Sequence, residues 1–375
     1  MPIPETRAVE PLSLLEISLD SISRNYLALQ KRLTRGTDCA AVVKADAYGL
    51  GAAVVSVELY KSNCRHFYAA HAAEGVVVRR VLAGLEDVQP AQVYALHGMG
   101  GIPAEELLRN NIVPVLNSYG DIEQWSALAR KVDKNLPAVL HIDTGMNRLG
   151  LSADEVVRLK NNTDLLKGID VRYVMSHLAC SDTEEHPKNQ EQLEAFKKLT
   201  AQLGLPCRLS FANSGGIFLG SDYHFDQARP GCALYGINPQ TSHVNPMQGV
   251  VTLKARILQI RNATAGETVG YGAGYKLSAP MKLATISAGY ADGILRSIAE
   301  NGMVYISGQK CPLVGRVSMD LVVADVTAVQ PEVHVGDWVE IIGSHQTADD
   351  VAAQADTIGY EVLTSLGKRY KRVYT

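Results

Sequence analysis

The chain has 375 residues, 46% of them hydrophobic, with 36 Lys and Arg against 39 Asp and Glu and a formal net charge of −3. That length accommodates one large domain and a smaller one, each with its own core, and the balanced charge sets up no basic field that would draw nucleic acid or an anionic membrane. Cys39, Cys64, Cys180, Cys207, Cys232 and Cys311 are widely spaced with no Cys-x-x-Cys pair, a pattern of reduced thiols that fits neither a metal site nor a disulfide framework.

The N-terminal stretch MPIPETRAVEPLSLLEI has no basic region followed by a continuous apolar one, and no apolar run of membrane-spanning length follows, so a cytoplasmic protein is expected. From residue 38 to about 245, short apolar runs alternate with segments of helical periodicity. The runs are CAAVVK (39–44), HFYAAH (66–71), QVYAL (92–96), IVPVL (112–116), PAVLHID (137–143), VRYVMSH (171–177), CRLSFAN (207–213) and FDQARPG (225–231). Segments such as DIEQWSALARKV and NQEQLEAFKKLTAQL read as the helices between them. Eight β/α units over roughly 200 residues suit a closed (β/α)8 barrel better than an open sheet.

Beyond residue 245 the texture changes to VVTLKARILQI, ETVGYGAGY, KLATISAGYADG, GMVYISG, CPLVGRVSMDLVVADV and DWVEIIG, strands separated by turns without helices between them. A helical stretch, TADDVAAQADTIGYEVLTSLG, follows, with Thr347 as its N-cap and Asp349 and Asp350 in its first turn. The expected division is a barrel over 1–245 and a mostly antiparallel β domain over 246–375, with residues 1–20 allowed as an extra strand of the second domain.

A barrel carries its active groups at the C-terminal ends of its strands, and polar residues gather there. Lys44 closes the first strand, Asp143 and Arg148 follow the fifth, His177 ends the sixth, Asn213 and Ser214 end the seventh, and Arg229 ends the eighth. Each has an ordinary explanation alone: a lysine can snorkel, and a single histidine is more often a hydrogen-bonded residue than a catalyst. Agreement among five strands is harder to dismiss. The loops NSGG (213–216) and RPGCALYG (229–236) are rich in small residues, which lets backbone N–H groups and the start of a following helix approach an anion. A phosphate grip facing a lysine suggests a phosphate-bearing aldehyde cofactor, pyridoxal phosphate, on Lys44 through Schiff-base chemistry.

The strings AVVKADAYGLG, DTGMNRLG, SHLACSD, ANSGG, RPGCALYG, GYGAGY, SAGYADG, GRVSMD and GYEVLTSLGKR occur in this order over nearly the whole chain, which resembles the pyridoxal-phosphate-dependent alanine racemases. The resemblance implies a homodimer in which the β domain of one subunit covers the barrel mouth of the other, and a two-base mechanism with Lys44 and Tyr271 as catalytic residues. Two bases are needed because racemisation removes the α-proton from one face and returns one to the other. A free tyrosine has a pKa of ~10, which positive neighbours could lower; the resemblance places His177 beside Tyr271 and Arg229 beyond it. Arg229 would face the pyridine nitrogen. Tyr48, Asn213, Ser214, Gly231, Cys232 and Tyr360 match cofactor and phosphate contacts, Arg148 and the Met319 backbone match substrate-carboxylate contacts, and Tyr290 with Met319 would narrow access to a small side chain.

Two positions depart from the family pattern. His141 stands where many members carry a carbamylated lysine, and Ser318 where relatives often have cysteine; these bear on substrate affinity and range more than on reaction type. The implied activity is interconversion of L- and D-alanine, a source of D-alanine for peptidoglycan. The alternatives are a broader amino-acid racemase, a decarboxylase on a related scaffold, and a pyridoxal-phosphate carrier without catalysis.

Overall fold

The computed structural model describes residues 10–85 and 90–375; the first nine residues of the N-terminal stretch lie outside that range. The chain forms two compact units. One holds Asp20–Gln248, and the other joins the described residues up to Leu19 with Gly249–Thr375.

In the first unit every strand pairs parallel to its neighbours. Strands His66–Ala69, Gln92–Ala95, Val113–Leu116, Leu136–His141, Ile169–Met175, Arg208–Ser210 and Gln227–Ala228 follow one another around the sheet. The first barrel strand is split into Asp38–Cys39 and Ala41–Val42. Its first segment pairs with the last strand through Asp38 and Gln227, and its second with the next strand through Ala41 and Phe67. Ala40 N–H bonds the Ala228 carbonyl at 2.9 Å, so the sheet closes on itself. Among the described residues, closure leaves no edge of this sheet unpaired.

Helices between the strands follow local sequence logic. Tyr119–Val132 buries Ile122, Trp125, Leu128 and Ala129 at helical spacing against the sheet, and begins where the Ser118 hydroxyl accepts the Asp121 N–H. Ala153–Asn161 opens on a capping box between Ser152 and Glu155. Pro187–Leu203 inserts Phe196, which stacks on Phe211 with ring centroids 4.7 Å apart and meets Phe225 edge-on. The pattern stops short of the last two loops. Gly215–Ile217 and Cys232–Tyr235 are single 3-10 turns, because the glycines that open these loops do not sustain an α-helix. The helix dipole expected there is therefore missing.

The barrel interior is polar as well as aromatic. Tyr68 stacks on Tyr94 at 4.4 Å, and its hydroxyl crosses to Gln227 Oε1 on the last strand at 2.6 Å. Nearer the N-terminal end, Asp38 takes hydrogen bonds from Arg208 at 2.7 Å and from the Tyr173 hydroxyl at 3.2 Å.

The second unit is built on an eight-stranded sheet and a two-stranded one. Val251–Ala263 alternates buried and half-buried residues through Ile257, the period expected of a strand with one face in the core. Ser13–Ile17 pairs antiparallel with it and parallel with Lys371–Tyr374. The short ladder Thr268–Val269 with Tyr275–Lys276 carries Tyr271 on the turn between its strands, not within a strand. The stretch expected as one helix after Thr347 is two, Ala348–Gln354 and Gly359–Ser365. Asp356 adopts φ +54° between them, which no right-handed helix passes through. Thr347 caps the first through a capping box with Asp350.

Phe196 is fully buried, and truncating such a ring costs about 3–5 kcal/mol through lost transfer energy and the cavity left behind. Phe196→Ala is expected to lower urea stability by that order. A loss under about 1 kcal/mol would contradict the packing described.

Candidate active site

The strand expected to end on Lys44 stops two residues earlier, at Val42. From Lys44 the backbone turns into a left-handed helical turn, with Ala45, Asp46, Ala47 and Tyr48 all at φ between +52° and +55°. Left-handed geometry costs non-glycine residues about 1–2 kcal/mol each, so something must hold it. Ala47 N–H bonds the Val43 carbonyl at 2.9 Å and Gly49 N–H the Ala45 carbonyl at 2.7 Å. Asp46 Oδ1 accepts from Ala52 N–H at 2.7 Å, and Glu74 Oε1 from Ala45 N–H at 2.9 Å. Such concentrated strain beside a lysine marks a functional position.

Desolvation is the main cause that lowers the pKa of the Lys44 amine, and Arg148 adds to it; Glu74 and Cys232 work in the opposite direction. The same turn delivers Tyr48, whose ring packs on Tyr235 with centroids 4.7 Å apart. Burial pushes the Tyr48 phenol upward, so it is a neutral donor. A Cβ on Gly231 would run into the Tyr48 hydroxyl. Ser214 Oγ accepts from Gly231 N–H at 2.9 Å and from Ala233 N–H at 3.3 Å. Tyr48, Ser214, Gly231 and the buried Cys232 thus converge on one small-residue cradle beside the lysine turn. The Tyr48 and Ser214 hydroxyls, with the Gly231 and Ala233 N–H groups gathered on Ser214 Oγ, are neutral donors of the kind that fits a phosphate. Asn213 Oδ1 accepts from Gly216 N–H of its own loop at 2.9 Å and from the Ser181 hydroxyl of the preceding barrel loop at 2.7 Å.

Arg229 immediately follows the last barrel strand and is 3% exposed. It donates to Ser210 Oγ, the Ser176 carbonyl and the Phe211 carbonyl, and among the described residues no carboxylate pairs with it. Burial lowers its pKa to about 10, which leaves it charged at neutral pH. His177, two residues beyond its strand, is held well below the ordinary histidine range by desolvation and then by Arg229, Arg148, Lys44 and His141. It is therefore neutral, so the positive charge in this row belongs to the guanidinium. The His177 carbonyl takes the Gln192 side-chain N–H at 2.9 Å, which ties its loop to helix Pro187–Leu203.

His141 ends its strand, and its Nδ1 lies 2.8 Å from Asn117 Oδ1. The Asn117 amide donates to the Leu96 and Val115 carbonyls, both at 3.0 Å. Its oxygen must accept, so His141 carries its proton on Nδ1. Burial and then Arg229 lower this imidazole to about 4. Arg148 projects from the loop that follows. Asp143 Oδ1 gathers the N–H groups of Gly145 and Met146 at 2.9 Å, and Leu151 N–H returns to the His141 carbonyl at 2.8 Å, so the loop is pinned at both ends while the guanidine is exposed.

Tyr271, Tyr290, Met319 and Tyr360 belong to the second unit. Tyr271 is 72% exposed on its turn, and the Arg316 guanidinium lies against the neighbouring Gly272. Tyr290 and Met319 are brought together: Tyr290 N–H bonds the Ser318 carbonyl at 3.0 Å and Ala291 N–H the Met319 carbonyl at 2.9 Å. Tyr360 is half-buried in helix Gly359–Ser365. Sequence reasoning missed Asn117, Ser176 and Ser210, although each is a polar residue ending or following an apolar run. It also missed Glu74 and Gln192, which read as ordinary helix-surface residues.

Residues 17–239 match the family described as "Alanine racemase, N-terminal domain", and residues 250–374 match "Alanine racemase, C-terminal domain". The alanine racemase of Rickettsia canadensis is 46% identical, over 97% of this chain and 99% of its own. That of Brucella canis is 45% identical, over 96% and 93%. Among solved structures, alanine racemase from Bartonella henselae with covalently bound pyridoxal phosphate superposes with a TM-score of 0.93 at 42% identity, covering 98% of this chain and all of the other.

His141 gives this site a measurable signature. Between the ordinary histidine pKa of ~6.5 and about 4, an unfolded chain binds a proton there that the folded chain refuses. Stability is thus unaffected above pH 7 and is lost as pH falls through that window, by up to ~3 kcal/mol. His141→Gln, which keeps a donor for Asn117, is expected to flatten this limb in urea titrations at pH 7, 5.5 and 4.5. A variant that loses stability as steeply as the parent would refute the buried neutral imidazole.

Proposed function

The chain belongs to the alanine racemase family, and on that premise we propose that it interconverts L- and D-alanine with pyridoxal phosphate held at the mouth of its barrel. The observation that carries the reading is a lysine of lowered pKa on the strained turn whose Tyr48 abuts the Ser214–Gly231 cradle. Lys44, whose lowered pKa makes an uncharged amine available, would hold the cofactor at its carbonyl end. Tyr48, Ser214, the backbone of Gly231 and Cys232, and Tyr360 would hold the phosphate, with Asn213 shaping the loop. When bound, the cofactor supplies a conjugated ring that delocalises the electron pair left as the Cα–H bond breaks.

Proton movement is the work of the chain's own residues. Lys44 takes or returns the α-proton on one face and Tyr271 on the other. Arg148 and the Met319 backbone N–H hold the substrate carboxylate, which fixes Cα between the two groups. Tyr290 and Met319 restrict the side chain to methyl size. Arg229, a donor that keeps its proton, would face the ring nitrogen and keep it unprotonated, which limits delocalisation and with it side reactions. His177, neutral, can accept from one neighbour and donate to the other.

The protein is read as a homodimer that places Tyr271 of one subunit with Lys44 of the other. The exposure of Tyr271, Tyr290 and Met319 supports this, since large apolar side chains at 72%, 42% and 52% exposure favour a covering partner. No helix among the described residues is long and apolar enough to cross a membrane. We place the activity in the cytoplasm, as a supply of D-alanine for peptidoglycan precursors.

Incubating the protein and pyridoxal phosphate with L-alanine in deuterated water should give a near-equal mixture of enantiomers, with deuterium at Cα, by chiral chromatography and mass spectrometry. Ethylamine and carbon dioxide in place of D-alanine would point to the decarboxylase reading. Cofactor binding with no turnover would leave only the carrier. Lys44→Ala and Tyr271→Phe should each lose about 10²–10⁴-fold in rate. Dissociating and reassociating the two variants in equal amounts should restore about a quarter of parental activity, because about half the dimers are mixed and each has one intact site. No recovery despite verified mixed dimers would refute the shared site.

A further inference from the structure

We propose that Glu74 is the positioning residue for Lys44, its carboxylate tying the start of the left-handed turn to the end of the neighbouring barrel strand. The inference rests on the reading of Lys44 as the reactive amine. Glu74 is the third residue of helix Ala72–Leu82, a position from which glutamate ordinarily reaches back to cap its own helix. One oxygen does something of that kind: Oε2 accepts from Ala70 N–H at 2.8 Å, just beyond strand His66–Ala69. The other leaves the helix altogether and accepts from Ala45 N–H at 2.9 Å.

That second bond falls where the chain needs it. Ala45 is the first residue of the left-handed turn and follows Lys44 directly. Ala45 and Asp46 are both exposed, so no packing holds them in a conformation that L-residues avoid. A charged acceptor spanning two adjacent loops fixes the peptide after Lys44, and with it the direction in which the side chain leaves the backbone. The groups acting on the amine are Arg148, which opposes its charge, and Glu74 and Cys232, which favour it. His97 and His177 also feel the Lys44 charge. Among these, Glu74 is the carboxylate. It therefore couples the geometry of the lysine to its charge.

Two variants of the full-length protein separate the roles. Glu74→Ala removes both acceptors, and Glu74→Gln keeps one while removing the charge. Hydrogen exchange read by NMR should quicken about tenfold or more at both Ala45 and Ala70 in Glu74→Ala, and at one of the two in Glu74→Gln. The pH midpoint for reductive methylation of Lys44 in the cofactor-free chain, followed by peptide mass spectrometry against exposed Lys61, should fall by about half a unit in Glu74→Gln, roughly threefold in free amine at a given pH. A residue that merely capped its own helix would move Ala70 alone and leave the Lys44 midpoint in place; that result, or unchanged exchange at Ala45, would overturn the proposal. Retained racemisation in Lys44→Ala would instead overturn the reading of Lys44 while the exchange result stood, so the two failures are distinguishable.

Discussion

A guanidinium enclosed by protein with only neutral oxygens around it is the constraint from which the rest of this site follows. Taking a cation out of water carries a penalty of several kcal/mol, and buried charges are ordinarily paired; Arg229 instead meets a hydroxyl and two carbonyls. The barrel interior supports those contacts. Ser210, which accepts from Arg229, donates to the Gln227 carbonyl at 2.9 Å, and Gln227 Oε1 takes the Tyr68 hydroxyl. With no carboxylate paired to it among the described residues, the field of Arg229 falls on its neighbours. His141 is buried and His177 half-buried, and in each Arg229 is the largest charge acting against protonation. Desolvation is the first cause that keeps the two histidines neutral, and this one cation reinforces it in both.

That electrostatic arrangement depends on placement by the barrel. Closure through Asp38 and Gln227 brings the first and last strands side by side, so the Lys44 turn and the Gly231 loop become neighbours although 187 residues separate them in sequence. Each loop is then fixed by a separate device: Asp143 gathers the backbone of the Arg148 loop, Gln192 holds the His177 loop, and Asn213 folds its own loop around Gly216. These braces hold side chains whose directions the strands alone leave open. Preorganisation of this kind is what lets fixed dipoles and charges act on a reacting group without reorganising.

Much of this was legible in the sequence because strand ends are legible. An apolar run that stops on a polar residue located Lys44, His177, Asn213 and Arg229, and alternation of strand and helix gave the closed barrel. The failures have local causes. Lys44 reads as the last residue of a strand because nothing in KADAY announces four positive φ angles; alanine, aspartate and tyrosine do not choose that conformation, and tertiary bonds impose it. The loops after strands Arg208–Ser210 and Gln227–Ala228 read as leading into helix starts, yet their glycines support only 3-10 turns. The break between the two C-terminal helices turns on Asp356 entering the left-handed region, for which aspartate is permissive without requiring it. Glu74 was invisible for another reason: a glutamate near a helix start always has a local explanation.

The dependence of the site on one unpaired cation is tested most directly by the charge state of His177. With histidine side chains labelled in ¹⁵N, an NMR titration from pH 8 to 5 should leave His177 neutral throughout in the parent protein, whereas in Arg229→Gln the same imidazole should take up a proton at higher pH than in the parent. Titration of His177 near its ordinary value of ~6.5 in the parent, or an identical curve in Arg229→Gln, would contradict the account.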